Sequence, residues 1–157
     1  MDEMVEKSGG FRKKVALILT AIDTETNSVL RHLGNASREQ VGSTWFHTGE
    51  FECWKIVVAE TGMGNNRAAT IAARSLSHFH PQIAAFVGIA GGLKDVKLGD
   101  VVVATKVYGF ESGKQSTRSF LPRPDVRSSH YELEQRARLL RTTTSWHARL
   151  DAKLMGR

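Results

Sequence analysis

Apolar positions along the chain change period several times, and each change marks an element. Lys13-Lys14-Val15-Ala16-Leu17-Ile18-Leu19-Thr20 is a lysine-led apolar run, which predicts a strand central in a sheet. Ala21-Ile22-Asp23-Thr24-Glu25 follows directly and opens a helix through Val29, Leu30 and Leu33, stopped by Gly34-Asn35. Asp23 and Glu25 stand in its first turn, where a carboxylate suits the positive end of the helix dipole. Thr44 to Thr48 and Phe51 to Val58 flank Gly49-Glu50 and predict a hairpin of two antiparallel strands.

The longest patterned stretch covers residues 57–103. Val57-Val58-Ala59 is a short apolar run that stops at Thr61-Gly62-Met63-Gly64. Asn65 to Phe79 carries Ala68, Ala69, Ile71, Ala72 and Leu76 at helical spacing, with Arg67 and Arg74 on the other side, and Pro81 closes the helix. Ile83 to Val87 is a second apolar run, ended by Gly88, Gly91 and Gly92. Strand, helix and strand make a βαβ unit, which implies parallel strands and a right-handed crossover. Both glycine turns then lie at the carboxyl ends of neighbouring strands, where open α/β sheets bind small ligands. Lys94 to Asp100 is a polar connection, and Asp100 to Tyr108 predicts a further apolar strand.

From Gly109 the texture changes. Glu111 to Ser129 is rich in Ser, Gly, Pro and Arg, which predicts a loop. His130 to Leu140 has helical spacing, with Glu134 and Arg138 as an i,i+4 pair; Thr142-Thr143-Thr144 weakens it, and Trp146 to Leu154 predicts a further short helix. The organisation expected is a flexible leader (1–12), a core (13–110) and a basic loop and helical tail (111–157).

Charge sharpens this division. Residues 1–110 hold 12 Lys+Arg against 11 Asp+Glu, whereas residues 111–157 hold 10 against 5. The basic character belongs to the tail, where it reads first as a solvated helix face and second as a contact for phosphate. Nucleic acid is not the expected partner, because Phe120, Tyr131 and Trp146 are too scattered for a stacking platform. The 157 residues suffice for one domain with a real core. No apolar run is long enough to span a membrane, and the polar N-terminus does not read as a signal peptide. Cys53 is the single cysteine and reads as a buried free thiol in a strand. No metal cluster and no cofactor are expected, and the compartment expected is cytoplasmic.

The glycine turns do not fit the commonest nucleotide motifs. A dinucleotide fingerprint beginning at Gly62 needs Gly at its sixth position, which is Arg67, and no phosphate-binding Gly-Lys-Ser/Thr follows either turn. Taken together, Thr61-Gly62-Met63-Gly64-Asn65-x-x-Ala68-Ala69, Val87-Gly88-Ile89-Ala90-Gly91-Gly92-Leu93 and Leu98-Gly99-Asp100-Val101-Val102 resemble the nucleoside phosphorylase superfamily. They look most like its methylthioadenosine/S-adenosylhomocysteine nucleosidase branch, and Ala21-Ile22-Asp23-Thr24-Glu25 fits in the same order. The resemblance covers roughly residues 13–110. It implies a three-layer αβα fold with a mixed, largely parallel sheet.

The resemblance also implies cleavage of the N-glycosidic bond of a purine (adenine) nucleoside or nucleotide, and a homodimer. Glu25 occupies the position that holds the attacking water. Ala21, Thr61, Gly62, Met63, Gly64, Ile89, Ala90 and Gly91 would line the substrate by the same resemblance. Where phosphorylases carry arginines for phosphate, this chain has Glu25 and Phe86, and Ile89 stands at their serine position; neither Phe nor Ile binds phosphate, so water is the expected nucleophile. As a general base Glu25 would need a pKa raised by burial.

Two family features are missing. The Met-Glu pair that grips the ribose hydroxyls and the late aspartate that protonates the purine have no counterpart here. Asp125, between Pro124 and Val126, reads as a turn residue, and Asp151 sits after no apolar strand. The fold is therefore expected to be incomplete at its C-terminal side, the chain a fragment or truncated gene product, and a nucleoside-binding or regulatory module without turnover is the alternative to an enzyme.

Overall fold

A computed structural model describes residues 13–110, 112–117 and 119–143. The chain divides into two compact units after Gly91. In the first, β1 (Lys14–Thr20), α1 (Asp23–Leu30), β2 (Gly34–Val41), β3 (Thr44–Phe51), β4 (Trp54–Glu60), α2 (Asn65–Phe79) and β5 (Ile83–Phe86) form one sheet and two helices. The strand order is β2-β3-β4-β1-β5. β1 lies parallel to both β4 and β5, and β3 is antiparallel to β2 and β4. The sheet is mixed, and β1 is interior to it as its continuous apolar pattern predicts.

Side chains on a strand alternate between faces, and this sorts the two helices. Leu17 and Leu19 stand in register with Val57 and Ala59; with Phe46 they form the buried cluster against which Ile71, Ala72 and Phe79 of α2 pack. The Phe46 and Phe79 rings meet edge-on at 5.0 Å, a favoured aromatic geometry. Thr20 and Glu60 are also in register and face the opposite way, where Thr26 of α1 meets both. One helix on each face gives the αβα layering.

α2 matches its predicted bounds. His80 takes a left-handed conformation (φ 45°) at its end, and Pro81 follows. Its inward stripe is Ile71, Ala72, Ser75 and Phe79; Leu76, expected inward, is exposed, and Ser75 is fully buried. The Ser75 hydroxyl is satisfied locally by donating to the Ile71 carbonyl (2.6 Å), so a polar residue sits in the core without an orphaned group.

Several expectations are corrected here. α1 ends at Leu30, short of Leu33. The hairpin turns at Glu52-Cys53, and Gly49 and Glu50 lie within β3. Gly49 serves close approach instead: a Cβ there would stand 2.9 Å from the Leu33 Cβ. Cys53 is consequently exposed in the turn, not buried in a strand. β2, GNASREQV, has no apolar alternation to announce it; it is an edge strand held by its main-chain pairing to β3.

In the second unit, β6 (Lys106–Gly109) pairs antiparallel with β9 (Asp125–Ser128), β7 (Gly113–Gln115) pairs with β8 (Phe120–Pro122), and α3 spans Tyr131–Thr142. The predicted strand over 100–108 survives only as β6. Val101, Val102 and Val103 are extended-prone residues without a ladder partner, and are 68%, 69% and 56% exposed. Conversely, the stretch read as loop contains β7, β8 and β9, three or four residues each, too short for periodicity to show. α3 agrees with its prediction, including the Glu134–Arg138 pair at 3.9 Å. The Thr142 and Thr143 hydroxyls donate to the Leu139 and Leu140 carbonyls, the competition with helical bonding that ends such runs. The leader, the helix expected at 146–154 and Asp151 lie outside the described residues.

Candidate functional site at the glycine turns

The site forms where β1, β4 and β5 end. Parallel neighbours bring their carboxyl ends together, so the segments that follow must sit side by side. The Thr61 N–H donates to the Thr20 carbonyl (2.8 Å), and the Val87 N–H to the Leu19 carbonyl (2.8 Å). These bonds dock the Thr61-Gly62 turn and the Val87-Gly88 turn on either side of the end of β1. Gly62 (φ 71°) and Gly64 (φ 107°) take backbone conformations disfavoured for other residues; the chain needs both to turn from β4 into α2.

Glu25 stands at the third position of α1, with Ile22 as N-cap. Ile22 has no side-chain acceptor, so only half of a capping box can form. The Glu25 carboxylate supplies that half by accepting the Ile22 N–H (3.2 Å) and, with the same Oε2, the Ala21 N–H (2.8 Å). Its Oε1 reaches out of the helix and accepts the Ile89 N–H (2.8 Å). A carboxylate in the first turn of α1 thus ties down the backbone of a glycine turn 64 residues later.

The side chain is buried, at 8% exposed. Its pKa is nevertheless held below the ordinary value near 4.5, first by the Ile89 N–H and then by that of Ala21, which together outweigh the cost of burial. This reverses the direction expected for a general base. Three main-chain donors favour the charged form, so the group is a fixed carboxylate at neutral pH.

Gly88 explains how the turn gets so close. A Cβ there would stand 2.7 Å from Glu25 Oε1 and 3.1 Å from its carboxyl carbon. Sequence reading takes Gly88 as one of three turn glycines; the contact that requires it is long-range and leaves no local signal. A hydroxyl network was missed for the same reason. Buried Thr20 and Thr26 share a hydrogen bond (2.7 Å), and Thr26 Oγ1 lies 3.2 Å from Glu60 Oε2. It braces the start of α1 against the ends of β1 and β4.

Of the predicted site residues, the structure brings Ala21, Glu25 and Ile89 together by direct bonds, and Thr61 and Gly62 adjoin them through Thr20. Thr61 is buried, with its hydroxyl directed to the Thr20 carbonyl (3.0 Å) or that of Gly62 (2.9 Å), so its side chain supports the turn from within. Met63 and Ile89 present exposed side chains, and Gly64, Ala90 and Gly91 exposed backbone. Asp125 is no turn residue: it opens β9 and pairs with Arg127 at 3.1 Å. A cleft of about 660 Å³ in the second unit, lined by Val101, Val103 and α3 residues, contains none of the predicted site residues. Among the described residues no three His, Cys, Asp or Glu side chains gather as a metal would require, and no helix is long and apolar enough to cross a membrane.

A family model for the phosphorylase superfamily matches residues 15–151. The chain belongs to the phosphorylase superfamily. Within this superfamily it is similar to the ATP nucleosidase Cap17 of Escherichia coli (strain KTE188), with 31% identity over 148 residues, covering 87% of this chain and 29% of that protein. It is also similar to the 5'-methylthioadenosine/S-adenosylhomocysteine nucleosidase of Chromohalobacter salexigens, 28% identical over 126 residues, covering 73% of this chain and 53% of the other. The chain thus spans between about a third and a half of these relatives' lengths. Among solved structures, the S-adenosylhomocysteine nucleosidase of Streptococcus pyogenes in complex with 5-methylthiotubericidin superposes with a TM-score of 0.60 at 28% identity, over 66% of this chain and 44% of that one. The corresponding nucleosidase of Colwellia psychrerythraea in complex with adenine reaches 0.69 over 82% of this chain and 55% of that one; at 23% identity it speaks for the fold alone.

Proposed function

We propose that this chain serves the hydrolysis of the N-glycosidic bond of an adenine nucleoside or nucleotide, with Glu25 holding the attacking water. The observation that carries the reading is the fixed carboxylate between the two glycine turns. An ionised carboxyl offers about four lone-pair sites, and three main-chain donors occupy three of them, two on Oε2 and one on Oε1. The remaining acceptor position is on Oε1, beside the Gly88-Ile89 turn, where a water can donate. As the water oxygen bonds to C1′ of the ribose, the C1′–N9 bond breaks and the electron pair leaves with the purine, which takes up a proton from solvent; the products are adenine and the sugar with whatever 5′ group it carries. Orientation and charge are the contributions of Glu25: a carboxylate held ionised stabilises a sugar that is becoming cationic and takes up the proton the water loses. The absence of phosphate ligands at Phe86 and Ile89 supports water over phosphate.

A nucleoside-binding module without turnover is the second reading. It is favoured by the lowered Glu25 pKa, which makes the group a weak proton acceptor. A homodimer and a cytoplasmic setting belong to the first reading as further proposals.

The deciding experiment measures free adenine released from methylthioadenosine, S-adenosylhomocysteine, adenosine, AMP and ATP without phosphate, for the chain and for Glu25→Ala. Release that disappears in the variant is the expected result. No release from a folded chain that still binds one of these compounds would leave the binding module.

A further inference from the structure

We infer that Arg67 is a substrate-reading cation, which binds a phosphate of a nucleotide at the Gly62-Met63-Gly64 turn. The inference rests on the adenine-nucleoside reading of the site and names the substrate class within it.

Arg67 lies in the first turn of α2, directly after the turn. Its side chain, though exposed, folds back over Gly62. The guanidinium Nη1 stands 3.4 Å, and Cδ 3.7 Å, from where a Cβ on Gly62 would be. Gly62 is thus a backbone position over which a guanidinium lies with nothing between. Among the described residues Arg67 has no carboxylate and no hydrogen-bond partner, a state it shares with Arg31, Arg38, Arg123, Arg136 and Arg141; its place over Gly62 is what sets it apart. Its planar fork of donors is therefore left to bind something else.

The surroundings do not oppose an anion. Arg67 lines a cleft of about 300 Å³ with Thr61, Asn66, Thr70 and Ile71. No acidic side chain lines it. Thr70 already donates its hydroxyl proton to the Asn66 carbonyl (2.9 Å), so the Asn66 amide and the Arg67 guanidinium are the donors that remain. The helix dipole adds positive potential, and no acidic residue stands in the first turn of α2 to neutralise it.

The cleft is linked to the reacting centre through the end of β1. Thr61 bonds to the Thr20 carbonyl, and Ala21, the next residue, donates to Glu25. Thr20, which ends β1, and Ala21 therefore join the Arg67 turn to the carboxylate. A nucleotide with its C1′ near Glu25 can bring a 5′ phosphate to Arg67, and a neutral 5′ group would leave that cation unused.

Titration calorimetry of the full chain with adenosine and with ATP, for wild type, Arg67→Ala and Arg67→Lys, tests this. In wild type ATP binds more tightly than adenosine. In Arg67→Ala the ratio of the two affinities falls about tenfold, the loss of one charge-assisted contact, and Arg67→Lys keeps part of it because the charge remains. Arg67 is exposed, and circular dichroism verifies that both variants fold. An affinity ratio unchanged in Arg67→Ala, with both ligands bound, overturns the role of Arg67 and leaves the nucleoside reading standing. Failure of wild type to bind either ligand overturns that reading, and the inference with it.

Discussion

A methyl group added at Gly88 would stand 2.7 Å from Glu25 Oε1, closer than any unstrained contact. The neighbour here is a carboxylate anchored by three backbone donors, so it cannot swing aside cheaply. Gly88→Ala should therefore lower stability by about 1–3 kcal/mol, the usual cost of overpacking. Gly91→Ala, where a Cβ would meet nothing within 4 Å, should change it by less than about 0.5 kcal/mol; urea denaturation of the two variants makes the comparison. The same carboxylate predicts a pH dependence. Its folded pKa is depressed, so it contributes stability that is present above its unfolded value and lost as pH falls through the folded one. Glu25→Gln should thus be less stable than wild type at pH 7, by about 1–3 kcal/mol, and the gap should narrow progressively below the ordinary value near 4.5. A gap that stays constant down to pH 3 would contradict a fixed carboxylate. At this scale sequence reading reached Glu25 itself, through the motif around it. The direction of its pKa shift is not legible in the sequence, because the Ile89 N–H that lowers it most arrives from 64 residues away.

Elements were legible where their own side chains decide them. β1 and α2 have apolar patterns long enough to specify type and bounds, and both stand as predicted. The turn between β3 and β4 was misplaced by a few residues, because Gly49 looks like turn chemistry but serves the packing of Leu33. β2 is not legible because an edge strand is defined by its partner's backbone, and Val101–Val103 reads as strand without being one because β-branched residues make a strand only where a ladder exists. The same logic predicts which elements resist opening. Every buried apolar side chain among the described residues lies between Leu17 and Ala59, on β1, β3 and β4. Amide hydrogen exchange followed by mass spectrometry should show strongest protection in these strands, intermediate protection in α2, and weak protection across 101–128, where the ribbons have no buried side chain. Protection of β6 to β9 equal to that of β1 would refute this ordering.

Across the whole molecule charge and burial divide at the same place. Residues 1–91 carry nine Lys+Arg and nine Asp+Glu, whereas residues 92–157 carry thirteen and seven. The neutral unit holds the buried core and the candidate site; the basic one holds ribbons and α3. The sequence alone determined the βαβ unit, the interior place of β1, the superfamily through ordered motifs around the glycine turns, and Glu25 as the residue to test. Those features depend on local side-chain pattern and on short motifs, which a linear reading preserves. Only the tertiary structure decided that Glu25 is clamped and ionised, that Gly88 must lack a side chain, that Thr20 and Thr26 brace the site, and that Arg67 lies unpaired over the Gly62 turn. Each of these depends on which distant backbone atoms meet, and parallel strands make those meetings by aligning chain ends that the sequence holds tens of residues apart.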